Sequence, residues 1–301
     1  MNGSINLDHL AIPATDGERS ENFYLKLLGL KLQMRRYNPN GRLRQTYLLL
    51  GNHQIGLFLP GIHISPSESW APRYAFAVPS EEEWDRVIEA LNRAGVPCQS
   101  GETNSQFVSR SAWTTDPDGN HIEICLRRME PSGYSLSHVV LETENIERSI
   151  AFYTHALGMK GSGETDEGFA LQVRTGQHLI LKAVPRLSKW SRTHGRGCHL
   201  ALDIDREDFE EMVEQIPAYG GKLQGDPLKG EGRRAEGEKN EYLSDPDGYR
   251  LQIQAHSPDG GPNLTEDEVG QHSIRSISYS VGERVTLLSN STPVSPYWGP
   301  I

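Results

Sequence analysis

Short apolar-rich runs separated by polar and glycine-containing turns recur along the whole chain. Thr46-Tyr47-Leu48-Leu49-Leu50 and Gln54-Ile55-Gly56-Leu57-Phe58 have strand length and strand composition. Between such runs lie segments with helical spacing. Residues Glu18 to Leu28 place Phe23 and Leu27, and Tyr24 and Leu28, four apart, with Gly29 as a C-cap. Residues Glu81 to Ala94 place Trp84, Val87, Ile88 and Leu91 on one face, and Gly95 ends the helix. Asp116-Pro117-Asp118-Gly119 predicts a tight turn, since Pro presets φ and Gly takes the strained position. His121-Ile122-Glu123-Ile124-Cys125 follows as a strand. The order strand, helix, then three strands appears from Leu7 to Pro60 and again from Tyr74 to Leu126.

The pattern then repeats as a whole. Leu7-Asp8-His9-Leu10 matches Leu136-Ser137-His138-Val139 at an offset of 138 − 9 = 129. At the same offset Glu18-Arg19-Ser20 and Phe23-Tyr24 match Glu147-Arg148-Ser149 and Phe152-Tyr153, and Asp116-Pro117-Asp118-Gly119 matches Asp245-Pro246-Asp247-Gly248. The middle matches at 125, Trp84 with Phe209 and Gly95 with Gly220, so small loop changes separate the copies. The chain of 301 residues is therefore two related halves. The expected domains are 1–130 and 131–256, with a C-terminal extension over 257–301. Within that extension, Ile274 to Leu288 has the composition for a strand or two, but the preferred expectation is a partly ordered extension that packs on the second cup or on a partner subunit.

Charge narrows the function. Thirty basic against forty acidic residues give a net charge of −10, which argues against nucleic acid and against anionic membrane surfaces as partners. Cys98, Cys125 and Cys198 are too scattered for a disulfide framework or a CxxC zinc site. The opening MNGSINLDHL has neither a basic nor an apolar signal region, and no run has membrane-spanning length, so the expected address is cytoplasmic.

A histidine in an opening strand, Phe-Tyr on the first helix, and a closing strand after Asp-Pro-Asp-Gly together resemble the vicinal oxygen chelate superfamily. That superfamily includes glyoxalase I, bleomycin- and fosfomycin-resistance proteins and extradiol dioxygenases. The resemblance covers roughly residues 5 to 256 and implies an α+β fold of tandem duplicated domains. Each domain would be two βαβββ units forming a curved eight-stranded cup around a divalent metal.

The same resemblance supplies candidate ligands. In the extradiol pattern they come from two opening strands and one closing strand. Carried onto the first half these are His9, Tyr74 and Glu123; onto the second, His138, His199 and Gln252. The second set is preferred, because a phenol must lose its proton to bind well, with His9 and Glu123 as a second candidate pair. If strands of the two halves mix, His9 would join His199 and Gln252, and His138 would join Glu123. Tyr242, ten residues before Gln252, and His178 would hydrogen-bond substrate and move protons. Arg233 and Arg234 would clamp a carboxylate or steady an enolate.

The resemblance thus implies a metal-dependent dioxygenase similar to the ring-cleaving enzymes, holding Fe(II) or Mn(II). It would take a small vicinal-oxygen substrate together with dioxygen. A glyoxalase-like lyase or isomerase, or a non-catalytic small-molecule-binding protein, is the alternative. The resemblance leaves room for a homo-oligomer.

Overall fold

The computed structural model describes residues 5–38, 40–51, 53–59, 71–102, 105–128, 133–173, 176–187, 199–225, 239–255 and 284–287. Four βαβββ units follow one another. The first holds β1 (Asn6–Pro13), α1 (Gly17–Asn22), β2 (Lys31–Tyr37), β3 (Leu43–Leu50) and β4 (His53–Phe58). The second holds β5 (Arg73–Ala77), α2 (Glu81–Arg93), β6 (Cys98–Glu102), β7 (Val108–Thr115) and β8 (His121–Arg127). The third holds β9 (Ser135–Thr143), α3 (Ile146–Ala151), β10 (Lys160–Glu164), β11 (Phe169–Gln172) and β12 (His178–Ala183). The fourth holds β13 (His199–Asp203), α4 (Phe209–Gln215), β14 (Lys222–Gly225), β15 (Lys239–Ser244) and β16 (Arg250–Ala255). From the extension, β17 (Arg284–Leu287) pairs with β2 at a sheet edge.

The units join in an exchanged order. One sheet runs β14-β15-β16-β13-β1-β4-β3-β2-β17, and the other β10-β11-β12-β9-β5-β8-β7-β6. The fold is the expected pair of open eight-stranded mixed sheets, one of them extended by β17. Each sheet, however, takes one unit from each half: the first with the fourth, the second with the third. The seams are antiparallel, β1 on β13 and β5 on β9.

Each sheet has an apolar face. Leu10, Ile12, Leu48, Ile55, Leu200 and Ile253 point from the nine-stranded sheet into a core shared with Phe76, Val139 and Leu141 of the other. Helical side chains close that core, among them Tyr24, Trp84, Phe152 and Met212. Each such burial is worth about 1.5–3 kcal/mol, so this face fixes register strongly. Helix α1 passes into a wider turn over Phe23–Leu27, in which Leu28 N donates to Phe23 O. The matching turn in the second half is Phe152–Ala156.

The two repeated motifs hold each other. Tyr24 donates its hydroxyl to Asp116 Oδ2 at 2.8 Å, and Ser20 donates to Asp118 Oδ2 at 2.7 Å. In the second half Tyr153 and Ser149 do the same to Asp245 and Asp247, at 2.8 and 2.7 Å. Burial pushes the carboxyls of Asp116 and Asp245 up, to about 6 and about 7. Helix-to-turn ties thus run within each half, while the sheet seams run between halves. Among the described residues no helix is long and apolar enough to cross a membrane.

Candidate functional site

The face opposite the core carries the candidate site residues. In the nine-stranded sheet His9 pairs with Gln54 of β4 and Ala201 of β13, and Ala201 pairs with Gln252 of β16. Paired side chains share a face. His199, two residues before Ala201, lies on it too, as does Tyr242, paired with Gln252. His9 Nε2 and His199 Nε2 meet at 3.0 Å, from strands 190 residues apart in sequence. Two ligand nitrogens about 2.1 Å from one ion and at right angles lie about 3.0 Å apart, so the pair has the spacing of ligands sharing a metal.

The His9 ring is fixed from behind. Its Nδ1 is 2.5 Å from Asp8 Oδ2. Strict alternation would send Asp8 to the opposite face, but the register shifts between Leu7 and His9. That bulge lets neighbouring side chains work together. Gln254 Nε2 donates to the same Asp8 oxygen at 2.7 Å, and Gln252 Nε2 donates to Gln254 Oε1 at 2.9 Å. With its nitrogen so engaged, Gln252 has its amide oxygen left to ligate. A carboxylate behind one imidazole sets its tautomer and raises its basicity, the usual support for a metal-binding histidine.

The walls are aromatic and the floor is small. His199 packs edge-on to Tyr242 at 5.2 Å and to Phe58 at 6.2 Å, and Phe58 packs edge-on to Tyr47 at 6.3 Å. Arg250 stacks on the Tyr242 ring at 4.8 Å. Beneath lie Ala11, Gly56 and Ala201. A Cβ on Gly56 would stand 2.8 Å from Phe58 Cε2 and 3.3 Å from Tyr47 Cε1, so the rings sit where a side chain would be. The site is open: the His9 side chain is 17% exposed and Asp8 29%. Two imidazoles, an amide oxygen and an outer carboxylate make a donor set that fits a divalent transition metal.

The other sheet repeats the register with different residues. His138 pairs with His178 and Ala75, and Ala75 pairs with Glu123. Arg73, two residues before Ala75, occupies the place His199 has in the first cup. Arg73 Nε donates to Glu123 Oε2 at 2.8 Å, and its Nη2 donates to the Glu167 carboxylate at 2.6 and 2.5 Å. Ser111 donates to Glu123 Oε1 at 2.5 Å. His138 Nε2 lies 3.3 Å from Glu123 Oε2 and makes no hydrogen bond. Burial would raise the Glu123 carboxyl, but the charges of His138 and Arg73 hold it at about 2. Cys125 is close enough to share a cation with Glu123 and His138, but burial pushes its thiol up.

This second cup is filled. Phe107 stacks on His178 at 3.6 Å and packs against two apolar patches, Ala75, Ala77, Val108 and Cys125, and Val140, Ala170 and Ile180. Burial, with the charges of His138 and Arg127, lowers His178 to about 4.

The expected ligand set is therefore divided. His199 and Gln252 share the first cup with His9 and Tyr242, while His138 lies in the other sheet with Glu123. The separation follows from the exchanged seams, and the mixed-strand alternative describes the arrangement. His178 is likewise in the second cup, away from Tyr242. Tyr74 is not at a ligand position: it faces the core, and its neighbour Arg73 faces the cup. Arg233 and Arg234 lie outside the described residues. Sequence reasoning missed Asp8, Gln54, Arg73 and Phe107. Gln54 is the counterpart of His178, each paired with an opening-strand histidine, and lies 124 residues before it, off both offsets seen in the sequence.

Comparison with known proteins agrees with this architecture. The model of the Glyoxalase/Bleomycin resistance protein/Dioxygenase superfamily matches residues 6–124 and 135–253. Glyoxalase I of Saccharomyces cerevisiae is 23% identical over 307 residues, covering 83% of this chain and 92% of that protein. Glutathione transferase FosA of Serratia marcescens is 30% identical over 121 residues, 40% of this chain and 79% of its own. Among solved structures, glyoxalase I from Zea mays superposes with a TM-score of 0.62 at 21% identity, covering 84% of this chain and 92% of that one.

Proposed function

The chain belongs to the glyoxalase, bleomycin resistance and dioxygenase superfamily, and on that premise we propose that it is a metal-dependent dioxygenase of a small vicinal-oxygen substrate. The observation that carries this reading is the His9–His199 pair, 3.0 Å apart and backed by Asp8. His9, His199 and the Gln252 amide oxygen would hold Fe(II) or Mn(II). When bound there, such a metal supplies a chelating template and an electron path between substrate and dioxygen.

The chain's own residues do the rest. Asp8 keeps the proton of His9 on Nδ1, so Nε2 presents its lone pair to the cup. Tyr242, edge-on to His199, would hydrogen-bond a substrate oxygen and pass its proton outward. Tyr47 and Phe58 flank the space over Gly56 and receive a flat ring. The ligand positions of this cup hold Gln54 and Gln252 and no carboxylate. A glyoxalase-like isomerisation, which needs a base at the metal to take a carbon-bound proton, would find none at these positions.

The test is anaerobic loading of metal-stripped protein with Fe(II), then addition of catechols in an oxygen electrode cell. Oxygen uptake that vanishes in His199→Ala supports the proposal. Turnover of a glutathione hemithioacetal without oxygen would replace it with the lyase reading. Tight binding of ring compounds with no metal requirement would replace it with the binding-protein reading.

A further inference from the structure

The geometry points to Arg73 as the resident cation of the second cup: its guanidinium stands in for a divalent metal, and the cup becomes a metal site once that arginine gives way to histidine. The comparison with the first cup rests on the ligand reading proposed for His9 and His199. The register itself does not. Ala201 lies opposite His9 and beside Gln252, and Ala75 lies opposite His138 and beside Glu123. Two residues earlier on the same face stand His199 and Arg73. Every ligand position of one cup thus has its counterpart: His9 and His138, Gln54 and His178, His199 and Arg73, Gln252 and Glu123.

In the second cup this set holds its own positive charge. The Arg73 side chain is 5% exposed, and its guanidinium bonds carboxylates from both halves, Glu123 on β8 and Glu167 in the turn between β10 and β11. Both oxygens of Glu123 already accept hydrogen bonds, one from Arg73 and one from Ser111. A dication entering here would meet a fixed like charge and a carboxylate whose two oxygens are both already engaged. His138 Nε2, buried, meets no hydrogen-bond geometry and stands 3.3 Å from Glu123 Oε2, the oxygen that Arg73 holds. Replacing Arg73 by a shorter imidazole frees Glu123 Oε2, removes the like charge and leaves His138 and Glu123, 3.3 Å apart, to share the space with the new imidazole. Phe107, stacked on His178, fills the remaining volume where a ligand would lie. Arg73 therefore clamps β5 and β9 units together without any metal, and the protein is asymmetric, with one metal cup and one ion-paired cup.

Co(II) serves as the probe, with dialysis equilibrium and elemental analysis on chelator-stripped protein. The background is His9→Ala/His199→Ala, in which the first cup is disabled. That double variant is expected to hold less than about a tenth of an equivalent, and adding R73H to raise this to about one equivalent. Adding Glu123→Gln on top is expected to remove it again. Metal retained by the double variant and lost on adding His138→Ala overturns the proposal, because the second cup would then bind metal with Arg73 in place. A folded R73H triple variant that gains no Co(II) overturns it as well. Should R73H fail to fold, the double variant with and without His138→Ala still decides. Wild-type protein that binds no metal defeats the reading of the first cup alone, and the gain on R73H is read independently of it.

Discussion

Gly56 and Ile180 hold the same register position in the two sheets. Each lies two residues beyond the side chain paired with an opening-strand histidine, Gln54 beside His9 and His178 beside His138. The first cup has small residues where the second has branched ones, Gly56 against Ile180 and Ala11 against Val140, and the Phe58 and Tyr47 rings lie over Gly56. Gly56→Ile should therefore push the Phe58 and Tyr47 rings off the sheet and into the first cup. The new side chain meets Phe58 and Tyr47, so about 1–3 kcal/mol of stability is lost to overpacking. Metal binding should persist while catechol binding falls at least about tenfold, or about 1.4 kcal/mol. Isothermal titration on the metal-loaded variant checks both.

Gln252→Glu places a charge at a ligand position. With metal, Coulomb attraction in the partly desolvated cup should tighten binding by about tenfold or more. Without metal, Gln252 is buried and its Nε2 donates to Gln254, so losing that donor costs about 1–3 kcal/mol. Melting curves with and without Mn(II) should show a larger metal-dependent rise in the variant than in wild type. A variant indifferent to divalent metals contradicts the ligand assignment.

Asp8→Asn tests the support behind His9. Asn accepts from Nδ1 more weakly and carries no charge, so metal affinity should drop about 10–100-fold. The fold should survive, since Asp8 is part-exposed at the cup rim. Competition for Co(II) against a chelator of known affinity measures the drop; an unchanged affinity would remove Asp8 from the site.

Acid should act through Glu123. Its carboxyl is held at about 2 in the folded chain against the ordinary 4.5, a lowered folded value. The stability it contributes is present above 4.5 and disappears as pH falls toward 2. Glu123→Gln should flatten the acid limb of stability between those values. At neutral pH it should cost about 3–5 kcal/mol, because Arg73 stays buried with only Glu167 as partner. Urea unfolding from pH 7 down to 2 compares the two chains.

Much of this was legible along the chain, and what was not has definite causes. The offset of 129 between His9 and His138, and between Asp116 and Asp245, marked the two halves because the same motifs, 92 residues apart, tie together in each, Tyr24 to Asp116 and Tyr153 to Asp245. Which unit shares a sheet with which is a matter of long-range pairing. All the opening strands are apolar on one face, and nothing in β1 distinguishes β5 from β13 as a neighbour. Tyr74 against Arg73 is a slip of one residue. In a strand that exchanges core for cup, and both residues suit their faces. Asp8 was hidden by a bulge, which breaks the alternation that assigns faces. Phe107 came from a loop, where no periodicity points inward.

The seam between β1 and β13 joins residues about 190 positions apart, while β5 and β9 come from adjacent units. During synthesis the sheet of the second and third units can close as soon as β12 emerges. The first unit must wait, its seam edge unpaired, until the fourth has left the ribosome. Contacts that span so much chain form slowly, and an unpaired edge is exposed to wrong partners meanwhile. The first cup is therefore the later of the two to be completed, and a nascent chain truncated before His199 would display a finished ion-paired cup beside half of the candidate site.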